Sequence, residues 1–223
     1  MKTLSVILPC LNEEASIGKT IQKIQTILKN KNLNGEIIVV DNASTDNSKK
    51  IAKQFPIKYI YEEKRGYGNA YLAGLKQAEG ELVIMGDPDG TYDFNEIPRF
   101  LKELEDFDFI IGSRFLGEIK EGAMPFSHKY IGNPIIRLLL RFNGLKIKET
   151  CTGFIGIRRE LIQKLNLKQP GMEFSSEFLV KAKRNNLKMK EIPIIYYPRQ
   201  GKSKLNEIRD GLRHFSFLIK EAI

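Results

Sequence analysis

Short runs of Val, Ile and Leu alternate with longer amphipathic stretches through the first half of the chain. That alternation defines the fold class before any motif is considered. Apolar runs at 4–8, 36–40, 57–61, 82–85 and 109–111 have the length and β-branched content of strands. Between the first two, Ile17, Ile21, Ile24 and Leu28 recur at spacings of four, three and four, which places them on one helix face. A second helix is expected to begin near Thr45 and Asp46, either of which suits an N-cap, with others over 68–77 and 95–104. Strands and helices in alternation predict an α/β fold, a mostly parallel sheet flanked by helices.

The pattern changes after Arg114. A Gly-rich, charged stretch leads to a helix expected over 128–142, then a short strand over 154–157. Helices over 175–184 and 205–219 follow, separated by an apolar segment at 192–197. With no internal repeat, low-complexity tract or Pro/Ser-rich linker, residues 1–223 are expected to form a single domain.

At 223 residues and 42% hydrophobic content the chain can bury a proper core. Lys plus Arg number 36 against 27 Asp plus Glu, a formal charge of +9 that draws anionic partners. Nucleic acid, anionic lipid and sugar nucleotides all fit that charge. Cys10 and Cys151 lie in no Cys-x-x-Cys or Cys/His spacing, so zinc is not expected and a reducing, cytosolic setting is. His128 and His214 lack companion ligands and are expected to be structural. The first apolar run is too short for a signal peptide, and no stretch of roughly 18 apolar residues occurs, so membrane contact is expected to be peripheral.

The sharpest chemical signal is Met85-Gly86-Asp87-Pro88-Asp89-Gly90-Thr91, two carboxylates one residue apart directly after a strand. Magnesium typically takes one or two carboxylates and fills its shell with phosphate oxygens. The same residues alone also describe a solvated turn. Two further polar clusters change the balance, Leu8-Pro9-Cys10-Leu11-Asn12-Glu13-Glu14 and Val40-Asp41-Asn42-Ala43-Ser44-Thr45-Asp46, each at a strand's carboxyl end. Ligands bind at that edge in open α/β sheets. Helix capping accounts for part of Asn12 to Glu14 and of Ser44 to Asp46. It does not need Asp41, which is free to accept a hydrogen bond from the ring N–H of a nucleotide base.

These motifs in this order resemble the family 2 inverting glycosyltransferases with the GT-A fold. Lys64-Arg65-Gly66-Tyr67-Gly68-Asn69-Ala70, Gly112-Ser113-Arg114-Phe115, Thr152-Gly153-Phe154 and Gly201-Lys202-Ser203-Lys204-Leu205 are similar to the polyprenyl-phosphate sugar synthases, the dolichyl-phosphate mannose and glucose synthase branch. The resemblance covers nearly the whole chain. It implies a nucleotide-sugar-binding half, 1–114, and an acceptor-side half, 115–223. Pro9, Leu11, Asn12, Glu13, Asp41, Asn42, Ser44, Arg65 and Gly66 would then meet the nucleotide sugar. Asp87 and Asp89 would hold magnesium or manganese against its diphosphate, and Arg114, Arg199, Lys202, Ser203 and Lys204 would meet phosphates of the donor or acceptor. Asp87, Asp89 and Arg114 are the expected catalytic set.

Many relatives carry two Asp residues where this chain has Asp41-Asn42, and Thr91 stands where the mannose branch has Gln. Tyr92-Asp93-Phe94 and Gly122-Ala123-Met124-Pro125 are more similar to members that use UDP-glucose or UDP-N-acetylglucosamine; GDP-mannose stays open. Gly201-Lys202-Ser203 is not a nucleotide-binding loop, since Tyr196 stands where its first Gly is required. Gly66-x-Gly68 lacks the third Gly of a dinucleotide fingerprint.

The expected acceptor is a polyprenyl or dolichyl phosphate. Its second pKa near 6 makes it largely anionic at neutral pH, so no general base is needed. A saccharide hydroxyl, the alternative acceptor, would need a carboxylate base, for which Glu173 and Glu177 are candidates. Residues 128–142, with Arg137 and Arg141 four apart, suit either a membrane-interface helix or a core helix with two surface arginines. The resemblance places the enzyme at the cytoplasmic face of a membrane and leaves room for an integral-membrane partner. A basic nucleic-acid-binding domain would explain the charge but not carboxylates gathered at strand ends, so nucleic acid is not an expected partner.

Overall fold

The structure is a computed structural model that describes residues 3–201, 203–204 and 207–222, with backbone only at 207 and 208. Seven strands form one sheet: β1 Leu4–Cys10, β2 Gly35–Asp41, β3 Lys58–Tyr61, β4 Leu82–Met85, β5 Phe109–Ile119, β6 Ile155–Arg158 and β7 Met189–Tyr196. Their order across the sheet is β3-β2-β1-β4-β6-β5-β7, and β6 alone runs antiparallel to its neighbours. Helices α1 Ile17–Asn30, α2 Ser48–Ala52, α3 Tyr67–Gln77, α4 Ile97–Asp106, α5 Asn133–Phe142, α6 Arg159–Leu165, α7 Phe174–Arg184 and α8 Glu207–Ala222 cover it.

Both faces of the sheet are buried, which is why its strands read as continuous apolar runs. Val6 and Leu8 point to one face and pack with Ile17, Ile21 and Ile24 of α1 and Phe100 of α4. Ile7, between them, points to the other, where Tyr71 of α3, Phe174 and Phe178 of α7 and Leu218 of α8 gather. The expected face of α1 is therefore the observed one, with Leu28 half-buried at its end.

Glu36 is a buried carboxylate held by three elements. Its Oε1 accepts from Ser5 Oγ at 2.7 Å and from Glu79 N at 2.8 Å, and Ser5 Oγ accepts from Gly80 N at 2.9 Å. A Cβ on Gly80 would stand 2.4 Å from the Leu4 carbonyl carbon, so the turn into β4 can approach β1 only with glycine there.

Several expected boundaries move. The second helix starts at Ser48, and Asp46 serves its N-terminus as expected, Oδ1 accepting from Ser48 N at 2.9 Å, although the N-cap position itself is Asn47. Strand β5 continues to Ile119, because β7 pairs with it again beyond a register shift between Ser113 and Glu118. The helix expected over 128–142 divides into a wide π-type turn, His128–Gly132, and α5, whose Pro134 sits in the first turn where a missing N–H costs nothing. Helix α6 carries no strong sequence period and was not expected; residues 205 and 206, the expected start of the last helix, lie outside the described residues.

Phe154 is fully buried beneath Phe100, Tyr92 and Phe94, with ring centroids 4.5, 5.2 and 5.5 Å away. Phe154→Ala should cost about 3–5 kcal/mol in denaturant unfolding; a loss under about 1 kcal/mol would show that this aromatic cluster does not anchor the sheet centre.

Candidate active site

The register of β1 on β2, Cys10 opposite Asp41, sets the two following loops side by side. Asn12, in the left-handed region at φ 54°, donates its N–H to Ser44 Oγ at 3.0 Å and accepts at Oδ1 from Thr45 N at 2.7 Å. Glu13 N donates to Ser48 Oγ and Glu14 N to Asp46 Oδ2, while Glu14 Oε2 accepts from both Asn47 nitrogens. The side chains expected to cap helices thus lace one loop to the other. Pro9 and Leu11 lie half-buried along the same edge.

Asp41 is 2% exposed and partly committed: Oδ1 accepts from Ser44 N at 2.9 Å and Oδ2 from Tyr59 OH at 2.6 Å. Burial, and then Asp41 itself, push the Tyr59 phenol up, so it stays a donor. Asn42 differs from the expected base contact, because both amide protons go to the carbonyls of Glu62 and Lys64 and its oxygen accepts from Gly66 N at 2.7 Å. It shapes the 62–66 loop. Gly66 has φ 149°, and a Cβ there would stand 2.2 Å from Pro170 O, while Arg65 reaches Ala43 O at 3.1 Å.

The turn carrying Asp87 and Asp89 is pinned from below by Thr20 of α1, which donates to Pro88 O at 3.0 Å. Asp89 Oδ1 accepts from Thr91 N at 3.0 Å and Thr91 Oγ1 at 2.6 Å, so the residue standing in place of Gln grips the carboxylate. Asp89 Oδ2 faces Arg199 Nη1 at 2.7 Å. The same guanidinium reaches Glu13 Oε1 through Nη2, and Lys204 Nζ meets Glu13 Oε1 at 2.8 Å and Asn12 O at 2.7 Å. Asp87 accepts from Tyr71 OH at 3.2 Å, and burial together with Asp89 raises its pKa against the opposing pull of Arg199. Gly153 packs so closely on Asp87 that a Cβ would lie 2.6 Å from Oδ2, which explains the glycine of Thr152-Gly153-Phe154.

The pair fits a divalent ion. Two neighbouring carboxylates already require a cationic partner, and among the described residues no group of three or more His, Cys, Asp or Glu side chains could hold a metal alone. A substrate's phosphate oxygens would complete the shell. Ser203 is exposed nearby in sequence, and Lys202 lies outside the described residues.

Arg114 is buried and does not stand free to meet a phosphate with its whole fork. Its Nε and Nη2 donate to Glu149 at 3.0 and 2.6 Å, and its guanidinium carbon lies 5.2 Å from the Tyr196 ring centre. Only the Nη1 corner lies outside this pair. Glu149, fully buried, also accepts from the N–H groups of Arg114, Thr150 and Cys151. Sequence reading missed Glu149: it lies 35 residues from Arg114, and its one local signal is the Thr-Cys-Thr-Gly-Phe that follows. His214 is structural as expected, its Nδ1 2.7 Å from Ser176 Oγ and its Nε2 4.0 Å from Cys151 Sγ. Glu177 is spent on the N–H groups of Lys168 and Gln169 and on Lys181. Glu173 is buried with Oε1 accepting from Gly171 N and Oε2 without a partner.

Burial alone would raise the Glu149 pKa, but the Arg114 charge and the hydrogen bonds from Arg114 and Thr150 outweigh it and hold it low. The stability it supplies is therefore complete above the unfolded value of about 4.3 and is lost as pH falls through the lower folded value. Glu149→Gln should cost about 3–5 kcal/mol at neutral pH by leaving the arginine uncompensated. It should also flatten the acid limb of a stability-versus-pH curve below about pH 4; an unchanged acid limb would remove Glu149 from that role.

Comparison with known proteins agrees with this geometry. Residues 5–165 match the model of glycosyl transferase family 2. The chain is 37% identical over 223 residues to the low-salt glycan biosynthesis hexosyltransferase Agl6 of Haloferax volcanii, covering 99% of this chain and 54% of that protein. It is 30% identical to the dolichol-phosphate mannosyltransferase of Pyrococcus furiosus, covering 97% of this chain and 64% of the other, so it spans little more than half the length of these relatives. A dolichyl-phosphate hexose transferase of Haloferax volcanii is 29% identical, with 93% of this chain and 89% of that protein covered. The glucosyl-3-phosphoglycerate synthase of Mycobacterium tuberculosis, solved with Mn2+, UDP and glucosyl-3-phosphoglycerate, superposes with a TM-score of 0.77 at 20% identity, covering 99% of this chain and 80% of that one; this shows the shared GT-A fold. With a strand order, a carboxylate edge and a family match that agree, the chain belongs to glycosyltransferase family 2.

Proposed function

We propose that this chain is the catalytic unit of an inverting glycosyltransferase that moves a hexose from a nucleotide diphosphate sugar to a polyprenyl or dolichyl phosphate. The observation that carries the reading is the contact between Asp89 and Arg199: a carboxylate pair and a basic segment meet at the carboxyl edge of the sheet, the charges a metal-bridged diphosphate requires. The relatives named for dolichyl-phosphate sugar transfer support the acceptor class. Thr91 and the UDP-bound neighbour support a uridine donor carrying glucose or N-acetylglucosamine, and the Pyrococcus relative keeps GDP-mannose in the panel.

Asp87 and Asp89 would hold Mg2+ or Mn2+, which when bound supplies positive charge to the departing diphosphate. Arg199 and Lys204 add charge to the carboxylate edge, and Glu149 orients the Arg114 guanidinium, leaving its Nη1 corner outside the pair. Laced loops at Asn12 and Ser44 hold the base edge rigid, and Asp41, braced by Tyr59, offers its remaining lone pairs to the base. A phosphate acceptor attacks as an anion and leaves Glu173 without a proton to take.

Access to a lipid phosphate fits the second half of the chain. In α5 only Asn133 and Leu140 are buried; Leu140 joins the core with Ile136 and Leu139 packed against it, and the opposite side of the helix is exposed. Ile131, Ile135, Leu138 and Phe142, at spacings of four, three and four, form an exposed apolar stripe. Leu212, Phe215 and Ile219 of α8, which packs on α5, extend it. Arg141 is exposed, whereas Arg137 is half-buried with its guanidinium carbon 5.0 Å from the Phe115 ring centre. An apolar stripe on a chain of charge +9 suits the interface of an anionic membrane. No described helix is long and apolar enough to cross one.

A panel of labelled UDP-glucose, UDP-N-acetylglucosamine and GDP-mannose, each with polyprenyl phosphate and Mn2+, should give a lipid product that mild acid cleaves. Asp89→Ala should abolish that product while the circular dichroism spectrum is kept; full turnover without a divalent ion would sink the reading. Glu173→Gln should hold turnover within a few-fold, whereas a loss of about 100-fold or more would identify a general base and move the acceptor to a saccharide hydroxyl. Binding to anionic vesicles should fall when Ile135 and Leu138 are both changed to Asp, and unchanged co-sedimentation would withdraw the membrane-facing role of α5.

A further inference from the structure

We infer that Arg199 is a resident counter-cation of the metal pair, displaced from Asp89 when a divalent ion binds, and that this exchange makes metal and nucleotide diphosphate bind cooperatively. The inference rests on the reading of Asp87 and Asp89 as metal ligands and adds a role for the residue that faces them.

Asp89 has committed Oδ1 to the N–H and hydroxyl of Thr91, so Oδ2 is the oxygen turned to a cation, and Arg199 Nη1 holds it at 2.7 Å. A divalent ion on Oδ2 would share with that guanidinium an oxygen Nη1 already holds, and two positive centres on one carboxylate oxygen repel in a part-buried site. One must give way. The geometry lets the arginine move without its backbone: Gln200 N donates to Asp89 O at 2.8 Å and Tyr197 N to Thr91 O at 3.0 Å, so the segment stays pinned on both sides of residue 199. Glu13 keeps a grip on Nη2 and is itself steadied by Lys204, so the freed side chain remains beside the site.

Two buried atoms in this clasp lack partners among the described residues, Arg199 Nε and Glu13 Oε2. A buried guanidinium N–H without an acceptor is costly, and a diphosphate oxygen is the acceptor that would satisfy it. Burial raises the Glu13 pKa, and Lys204 and Arg199 oppose that rise without cancelling it. Metal alone must therefore evict a paired arginine, whereas metal arriving with a diphosphate gives that arginine a new anionic partner. The coupling is reciprocal, so the diphosphate should also bind better with metal present.

The test measures Mn2+ binding from the free-ion electron paramagnetic resonance signal, with and without UDP or GDP, on wild type, Arg199→Ala and Arg199→Lys. Arg199→Ala should bind Mn2+ alone about tenfold more tightly than wild type, and the gain in Mn2+ affinity on adding the nucleotide should shrink by a similar factor. Arg199→Lys, which keeps a charge but cannot fork across Asp89 and Glu13, should fall between them, and it serves as the readout if the alanine variant does not fold by circular dichroism. Mn2+ binding no tighter in either variant than in wild type, or a nucleotide effect of undiminished size, would overturn the exchange while leaving the donor site in place. Absence of Mn2+ binding in wild type with both nucleotides would take away the donor-site reading and the exchange with it.

Discussion

Carboxylates brought together away from water need positive charge, and the architecture of this protein is organised around supplying it. Glu13, Asp87 and Asp89 follow the carboxyl ends of β1 and β4, and the Asp89 charge raises the pKa of both Glu13 and Asp87. Arg199 links two of them with one planar fork, and Lys204 balances the third interaction at Glu13. The basic segment after β7 is therefore part of the donor edge, although the chain places it more than a hundred residues downstream of Asp89.

The parallel register makes that edge possible. Cys10 lies opposite Asp41, so β1 and β2 end level, and β4 ends opposite Ile7, three residues short of them; all three deliver their loops to one edge. Side-chain to backbone bonds then hold those loops: Asn12 with Ser44 and Thr45, Glu14 with Asn47, Asn42 with the 62–66 loop. Fixing these loops before a ligand arrives lowers the ordering cost of binding. Gly66 and Gly153 complete the arrangement, since each admits a backbone or carboxylate where a Cβ would collide.

The second half of the chain is built on a different principle. The antiparallel β6 and the long β5 bring Arg114 against Glu149, a buried ion pair that aligns one corner of the guanidinium and fastens the 149–153 segment beside Asp87. Breaking such a pair is costly because it strands a buried charge, so it orients more than it stabilises. Helices α5 and α8 pack on this half and leave an apolar stripe outward. The carboxylate edge and the exposed apolar stripe thus sit on one α/β domain.

The α/β class, the strand starts from β1 to β5, the apolar face of α1 and the carboxylates at three strand ends are all local features, carried by periodicity and by residue types a few positions apart; the sequence alone determined them, whereas β7 begins at Met189, three residues before the expected apolar segment. Helix α6 and the extension of β5 escaped, since a seven-residue helix has little period and a strand's length depends on whether a distant partner pairs with it. The site divides in the same way. Asp87, Asp89 and the loop residues were legible as motifs, whereas the partners of Arg114, Asn42 and Arg199 were not. Glu149, the carbonyls of Glu62 and Lys64, and the Asp89–Glu13 clasp are brought together only by folding. Residue type states what a side chain can bond, but burial and neighbours across long sequence separations decide what it does bond, and only the tertiary structure contains them.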